Sequence, residues 1–262
     1  MSDTSIIKTE NIDVSFGDLH VLKGVSLTVK AKEVVCIIGP SGCGKSSLLS
    51  VVEGLNKATA GRVLIDGKEI TGPGNERGIV FQHYSLFPWL TTVGNVVFAM
   101  KQNKLSGKKS ELEERAKLYL SKVGLADAFD KYPAELSGGM QQRVAIARIL
   151  AANNSIFLMD EPFGAIDPKN RQELQELVGR LAREEKKTVL FVTHDIDEAI
   201  LLADRIIFID RHNIQADIEV GIKKPVTKAD LIDNERFREL NSHLMKLFYQ
   251  GVAEKIADEV YL

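Results

Sequence analysis

The chain has 262 residues, 44% of them hydrophobic, enough for one large α/β domain or two small ones around an ordinary buried core. Lys plus Arg total 34 against 36 for Asp plus Glu, a formal net charge of -2, so no basic surplus marks nucleic acid as the main partner. No run of about 18 apolar residues occurs, which excludes a membrane-spanning helix by composition.

Met1-Ser2-Asp3-Thr4 lacks the basic and apolar regions of a secretory leader, so the chain is expected to stay in the cytoplasm. From residue 6 to residue 30 apolar and polar positions alternate, with Ile12, Val14 and Phe16 before Gly17-Asp18 and Val21, Val25, Leu27 and Val29 after it. Period-two alternation around a Gly-Asp turn reads as an antiparallel strand pair. Phe16 stands just before the turn, where it either fills core or offers an aromatic face to a base.

Val34-Val35-Cys36-Ile37-Ile38 is an apolar run of strand length, followed by Gly39-Pro40-Ser41-Gly42-Cys43-Gly44-Lys45-Ser46 and the helix-forming stretch from Ser47 to Glu53. Strand, loop and helix in this order match G-x-x-x-x-G-K-[ST], whose glycines let backbone N–H groups turn inward around a chain of phosphates. Lys45 would reach the β- and γ-phosphates, and Ser46 would bind Mg²⁺. A chance match is on the order of one in a hundred for a chain of this length, before the flanking strand and helix are required. A disulfide between Cys36 and Cys43 would distort this loop, so both are expected as thiols in a reducing compartment.

Gly61 to Gly67 reads as a strand and turn, and Gly78-Ile79-Val80-Phe81 as a short buried strand closed by Gln82. The stretch from His83 to Leu90 crowds Leu86, Phe87, Trp89 and Leu90 around Pro88, which forbids a regular helix. Such a loop either folds onto the core or meets a partner. From Thr92 to Lys122 the periodicity is helical, with Leu112, Ala116, Tyr119 and Val123 on one stripe and a solvated charged face opposite. Ser137-Gly138-Gly139 then signals a capped helix start, a second seat for an anion, with Met140, Val144, Ala147 and Leu150 on its apolar stripe.

Ser155-Ile156-Phe157-Leu158-Met159 is a buried strand ending in Asp160-Glu161, which delivers two carboxylates to the strand edge where open α/β sheets bind ligands. Pro168 opens a long amphipathic helix to about Glu185, and Thr188 to Thr193 is another buried strand, closed by His194. Gln82, Asp160 and His194 thus close three core strands and point to one shared site. A short helix from Asp195 to Ala203, a strand from Arg205 to Asp210, a turn with Asn213 in the left-handed position and a strand from Gln215 to Ile222 follow. Pro225 breaks the pattern before a terminal helix from Asn234, striped by Phe237, Leu240, Leu244, Leu247, Phe248 and Val252.

The order of these motifs resembles the nucleotide-binding subunit of ATP-binding cassette (ABC) transporters over roughly residues 6–222. Leu136-Ser137-Gly138-Gly139-Met140-Gln141-Gln142, between the phosphate loop and the strand carrying Asp160-Glu161, is similar to that family's signature sequence. The resemblance implies an α/β fold: a P-loop NTPase core of the RecA type with an antiparallel β subdomain and an α-helical signature subdomain at about residues 91–152. An ATPase domain then spans residues 1–222, and residues 223–262 form a short C-terminal helical extension. By the same resemblance two copies sandwich two Mg²⁺-ATP head to tail, the Ser137-Gly138-Gly139 start with Gln141 docking on the nucleotide of the opposite copy. Phe16 takes the adenine-stacking position, and residues 39–47, Gly39 through Ser47, take the phosphates. Asp160, Ser46 and Gln82 take the Mg²⁺ positions. Glu161 polarises the attacking water, Gln82 links the metal site to the membrane partner, His194 contacts the γ-phosphate, and Asp167 crosses the dimer interface.

Leu86-Phe87-Pro88-Trp89-Leu90-Thr91-Thr92-Val93 and Phe163-Gly164-Ala165-Ile166-Asp167 look most like cassettes of bacterial nitrate, sulfonate, taurine and bicarbonate importers. Gly164 stands where a small hydroxyl is more usual, and Arg211-His212-Asn213 lacks the typical glycine. The implied partners are a second copy, permease subunits met through residues 83–93 and, indirectly, an extracytoplasmic solute-binding protein, with the chain peripheral on the cytoplasmic face of the membrane. The rivals are a soluble cassette without a permease and a P-loop small-molecule kinase. A kinase would not need Leu136 to Gln142, and the roughly 90 residues between phosphate loop and signature leave no room for the long coiled coils of repair cassettes.

Overall fold

The computed structural model describes residues 5–82, 85–164 and 166–260. His83, Tyr84 and Ala165, each inside a segment singled out above, lie outside the described residues, as do residues 1–4. The chain divides into two compact units, residues 1–72 with 190–262, and residues 73–189. Among the described residues no helix is long and apolar enough to cross a membrane.

In the first unit, strands β1 (Ser5–Phe16), β2 (Leu19–Lys30), β4 (Ala60–Ile65) and β5 (Lys68–Glu69) form an antiparallel sheet of order β2-β1-β4-β5. The buried positions of β1 are Ile7 and Thr9, then Ile12 and Val14. Their parity changes at Glu10 and Asn11, where the register with β2 shifts, as an inserted bulge residue requires. A second shift, between the pairs Ile12↔Val25 and Val14↔Leu22, turns Leu22 into the core and leaves Val21 half-buried. Strict alternation places Val21 inside; the extra residue on β2, held by a 2.6 Å hydrogen bond from the Gly24 N–H to the Asp13 carboxylate, reverses the faces.

β3 (Val34–Ile38) is buried at every position and runs parallel to β9 (Arg205–Asp210), which pairs antiparallel with the edge strand β10 (Asn213–Glu219). A strand buried on both faces reads as a continuous apolar run, and Val34 to Ile38 is one. The β9–β10 turn carries its positive φ at Arg211 and His212 (47° and 68°). Asn213 already pairs with Asp210 as the first residue of β10, so the left-handed assignment falls one and two residues earlier. A two-residue hairpin loop needs both central residues at positive φ. Helix α1 (Lys45–Glu53) buries Leu48, Leu49, Val51 and Val52, and α6 (Ile196–Leu202), α7 (Lys228–Leu231) and α8 (Glu235–Val260) complete the unit.

In the second unit, β6 (Arg77–Val80) and β7 (Ile156–Asp160) are parallel, and helices α2 (Thr92–Gln102), α3 (Lys109–Lys122) and α4 (Gly138–Ala151) pack on one another beside α5 (Pro168–Glu184). The single helical stretch expected from Thr92 to Lys122 is two helices. The chain leaves α2 through Lys104 at φ 58°, and Gly107 precedes a fresh start at which the Lys108 N–H donates to the Glu111 carboxylate over 2.9 Å. β8 (Thr188–Val192) begins in this unit, with the Thr188 N–H on the Ser155 carbonyl, and ends in the first, where the Thr193 N–H meets the Ile37 carbonyl.

Asn95, fully buried in α2, holds the preceding loop. Its amide nitrogen donates to the carbonyls of Phe87, Leu90 and Thr91 at 3.1–3.2 Å, and its oxygen accepts the Phe87 N–H at 2.8 Å. Asn95→Leu keeps the branched shape but strips partners from several buried backbone groups, so chemical denaturation should show a loss of about 2–3 kcal/mol; a loss below about 0.5 kcal/mol would show that the loop stands without it.

Candidate functional site

The phosphate-loop motif leaves the buried end of β3 and closes on α1. A Cβ at Gly39 would overlap the Ile209 carbonyl oxygen, and one at Gly44 (φ 102°) would lie 2.6 Å from Leu22 Cδ2, so both positions exclude any side chain. Gly44 caps α1 without a side-chain acceptor, leaving the first-turn N–H groups of Lys45, Ser46 and Ser47 turned toward the loop. Lys45 is buried, and its ammonium folds back to donate to the Gly39 and Pro40 carbonyls, both at 2.9 Å. Ser41, Gly42 and Ser46 are exposed and Cys43 is buried. Burial pushes the Cys36 thiol far above its ordinary pKa, so it is an inert core residue.

Two further predicted residues belong to this unit. Phe16 is 56% exposed, which removes the core-filling reading and leaves a ring presented to solvent. His194, also exposed, follows β8, whose end is tied to β3 by the Thr193–Ile37 hydrogen bond. His194 and the phosphate loop therefore leave the same edge of neighbouring strands.

In the second unit β6 and β7 run in register to Val80↔Met159, so Gln82 and Glu161 emerge side by side. Gln82 Nε2 lies 3.5 Å from Glu161 Oε2, a long hydrogen bond. Asp160 is the last residue of β7, and Glu161 has φ 43°, a strained conformation for a residue with a side chain. Its carbonyl accepts the Gly164 N–H at 3.1 Å, so the turn that follows fixes that backbone.

The Ser137 hydroxyl caps α4 by accepting the Met140 N–H at 3.4 Å. Gln141 spends its amide nitrogen on the Pro133 and Leu136 carbonyls at 3.1 and 3.2 Å, bracing the signature turn from within. Gln142, fully buried, donates to the Pro162 carbonyl at 2.6 Å, bolting the signature helix to the residue after Glu161. A Cβ at Gly139 would touch Ile166 and Asn170 at 3.7–3.8 Å, so Gly139 lies against the start of α5. There Asp167 is the N-cap, accepting the Asn170 N–H at 3.2 Å and its side-chain amide at 2.7 Å.

The apolar loop splits in two. Phe87 packs edge-on to Phe98 at 4.6 Å and Leu86 and Leu90 are half-buried, whereas Trp89 is 70% exposed. Below the loop a groove of about 490 Å³ is lined by Arg77, Phe81, Phe87, Phe98, Arg148 and Asn154 among others, and Arg148 donates to the Ser85 carbonyl at 2.8 Å. Sequence reading missed Asn95 and Gln142 as positioning residues. The signal was there, since each is an amide on an otherwise apolar helix stripe, where a polar group must be hydrogen-bonded.

Residues 22–164 match the sequence profile of the family described as ABC transporter. The chain is 41% identical over 252 residues to a bicarbonate transport ATP-binding protein, CmpC, of Synechococcus elongatus; the match covers 93% of this chain but spans 38% of that protein's length. It is 40% identical to the bicarbonate transport ATP-binding protein CmpD of Synechocystis, covering 95% of this chain and 91% of that protein. It is 37% identical to the nitrate transport protein NasD of Klebsiella oxytoca, covering 92% and 94%. A solved dimeric post-hydrolysis structure of the ATP-binding cassette MJ0796 with ADP and Pi superposes with TM-score 0.73 at 34% identity, covering 83% of this chain and all of that one. With its phosphate loop, signature helix and acid-tipped strand on a mixed α/β fold, the chain belongs to the ABC transporter family and carries that family's ATPase domain.

Proposed function

We propose that this chain is the ATP-hydrolysing, energy-coupling subunit of a membrane importer for a small anion of the nitrate, sulfonate, taurine or bicarbonate kind, working as a head-to-tail dimer. The observation that carries the reading is Glu161, held at positive φ on the end of a buried strand with Gln82 beside it, because a strained carboxylate at a strand edge is the arrangement expected of a water-orienting base. The anion class is supported by the bicarbonate and nitrate relatives. A peripheral place on the membrane follows if the partner is a permease.

The residues fit the nucleotide and its metal. Gly39 and Gly44, where Ile209 and Leu22 already fill the place of a Cβ, let the loop backbone seat closely enough to turn N–H groups toward phosphates, and Ser46, Gln82 and Asp160 would supply the hard oxygen donors that Mg²⁺ prefers. Bound there, Mg²⁺ would neutralise charge on the β- and γ-phosphates. Lys45 would leave its loop carbonyls for those phosphates. Glu161 orients water for in-line attack and accepts its proton as the bond from water oxygen to γ-phosphorus forms and the β–γ bridge breaks, with the developing charge met by Lys45 and His194. Phe16 would stack on the adenine.

Ser137, Gly138 and Gly139 would serve the opposite copy's nucleotide. A Ser137→Arg chain should therefore bind ATP as tightly as wild type while its homodimer hydrolyses at background rate. Mixed with Lys45→Ala it should regain at most one working site per heterodimer, and an equal loss of ATP affinity in the isolated Ser137→Arg chain would contradict the sandwich. Phosphate release without a phosphorylated small molecule separates this reading from a kinase.

The permease would be met at Trp89 and the groove beneath it. Trp89→Ala should leave the melting temperature and basal hydrolysis unchanged but abolish co-purification with a polytopic membrane protein, since an interface aromatic is worth about 2 kcal/mol or more. Phe87→Ala, which loses its packing on Phe98, should melt lower. If Trp89→Ala still couples to solute, the membrane contact lies elsewhere.

A further inference from the structure

We propose that the C-terminal extension positions His194 by gripping both ends of α6, the helix that begins two residues after it; this rests on the reading of His194 as the γ-phosphate contact. α6 has seven residues, too few to hold their shape unaided. Locally it is capped by Asp195, whose carboxylate accepts the Glu198 N–H at 3.0 Å while the Asp195 N–H donates to the Thr193 hydroxyl at 3.1 Å. These contacts tie the helix start to the residues on either side of His194, so a shift of α6 would carry the imidazole with it.

Two further holds on the ends of α6 come from beyond residue 222. In its first turn the Asp197 carboxylate accepts a 2.8 Å hydrogen bond from Asn241 Nδ2 on α8. In its last turn the Lys224 ammonium donates to the carbonyls of Ile200 and Leu201, the latter at 2.8 Å, where a helix lacks its own donors and favours a cation. α8 is itself anchored. Arg236 donates to the Val220 and Glu219 carbonyls at 3.2 and 3.0 Å, Leu240 and Leu244 are buried, and Phe248 meets Phe208 of β9 edge-on at 5.1 Å. The extension thus bridges β9, next to the phosphate-loop strand, and the helix behind His194. Asn241 and Lys224 are positioning residues: neither belongs to the proposed nucleotide contacts, and both act through α6.

The test uses the full chain. Asn241→Asp sets a carboxylate against Asp197 and should lower kcat about ten-fold or more with ATP affinity unchanged, and it should shift the His194 ring resonances. Adding Asp197→Asn exchanges donor and acceptor and should restore kcat to within about two-fold of wild type along with the resonances. Asn241→Ala, which removes the donor without adding charge, should show the same split if Asn241→Asp does not fold. Wild-type kcat and unmoved His194 signals in the single variants, or no rescue in the pair, would overturn the proposal. His194→Ala separates the two readings. If it hydrolyses at the wild-type rate, the role of His194 falls, whereas shifted ring signals in Asn241→Asp would still uphold the grip.

Discussion

The structure depends first on how closely the backbone must approach its surroundings at Gly39 and Gly44. Neither position has room for a methyl group: the Ile209 carbonyl fills the space at one and Leu22 the space at the other. Those contacts come from β9 and from the antiparallel sheet, so the loop is shaped by two layers that are far apart in sequence. The inserted residue of β2 belongs to the same constraint, because it is what turns Leu22 inward beneath Gly44. A loop seated this way presents N–H groups in a fixed arc, and fixed dipoles need no reorganisation when charge moves.

A similar economy holds in the second unit, where three devices converge on the residues after β7. Gln82 lies along the Glu161 side chain, Gln142 holds the Pro162 carbonyl, and Asp167 caps α5 six residues on. The signature helix and the acid-bearing turn are therefore mechanically one piece within that unit. This gives physical content to a coupled ATPase: the part that would touch the partner copy's nucleotide is bolted to the part that would activate water on its own.

Much of this could be read from the sequence, and the reasons are local. The apolar runs at Val34 to Ile38 and Ile156 to Met159 are buried strands at nearly every position, because parallel strands covered on both faces leave no room for alternation. The polar residues that close them are where spacing puts them. What escaped depends on partners that no local pattern names. The parity change in β2 needs the Asp13 carboxylate, the break after α2 follows from a residue at positive φ, and the division of the Leu86–Leu90 loop into packed Phe87 and outward Trp89 is decided by Asn95 and Phe98. Phe16 shows the limit most clearly, since periodicity left core and solvent equally open and only the exposed ring settles it.

The central claim is that Glu161, on its strained turn, activates water after ATP has been bound and enclosed. Its most direct test is to follow nucleotide binding, dimerisation and phosphate release together in full-length Glu161→Gln. The amide keeps the shape and removes the proton acceptor, so hydrolysis should fall about 10²-fold or more while ATP binds normally and holds a dimer through gel filtration. Hydrolysis at the wild-type rate, or loss of ATP binding together with hydrolysis, would contradict it.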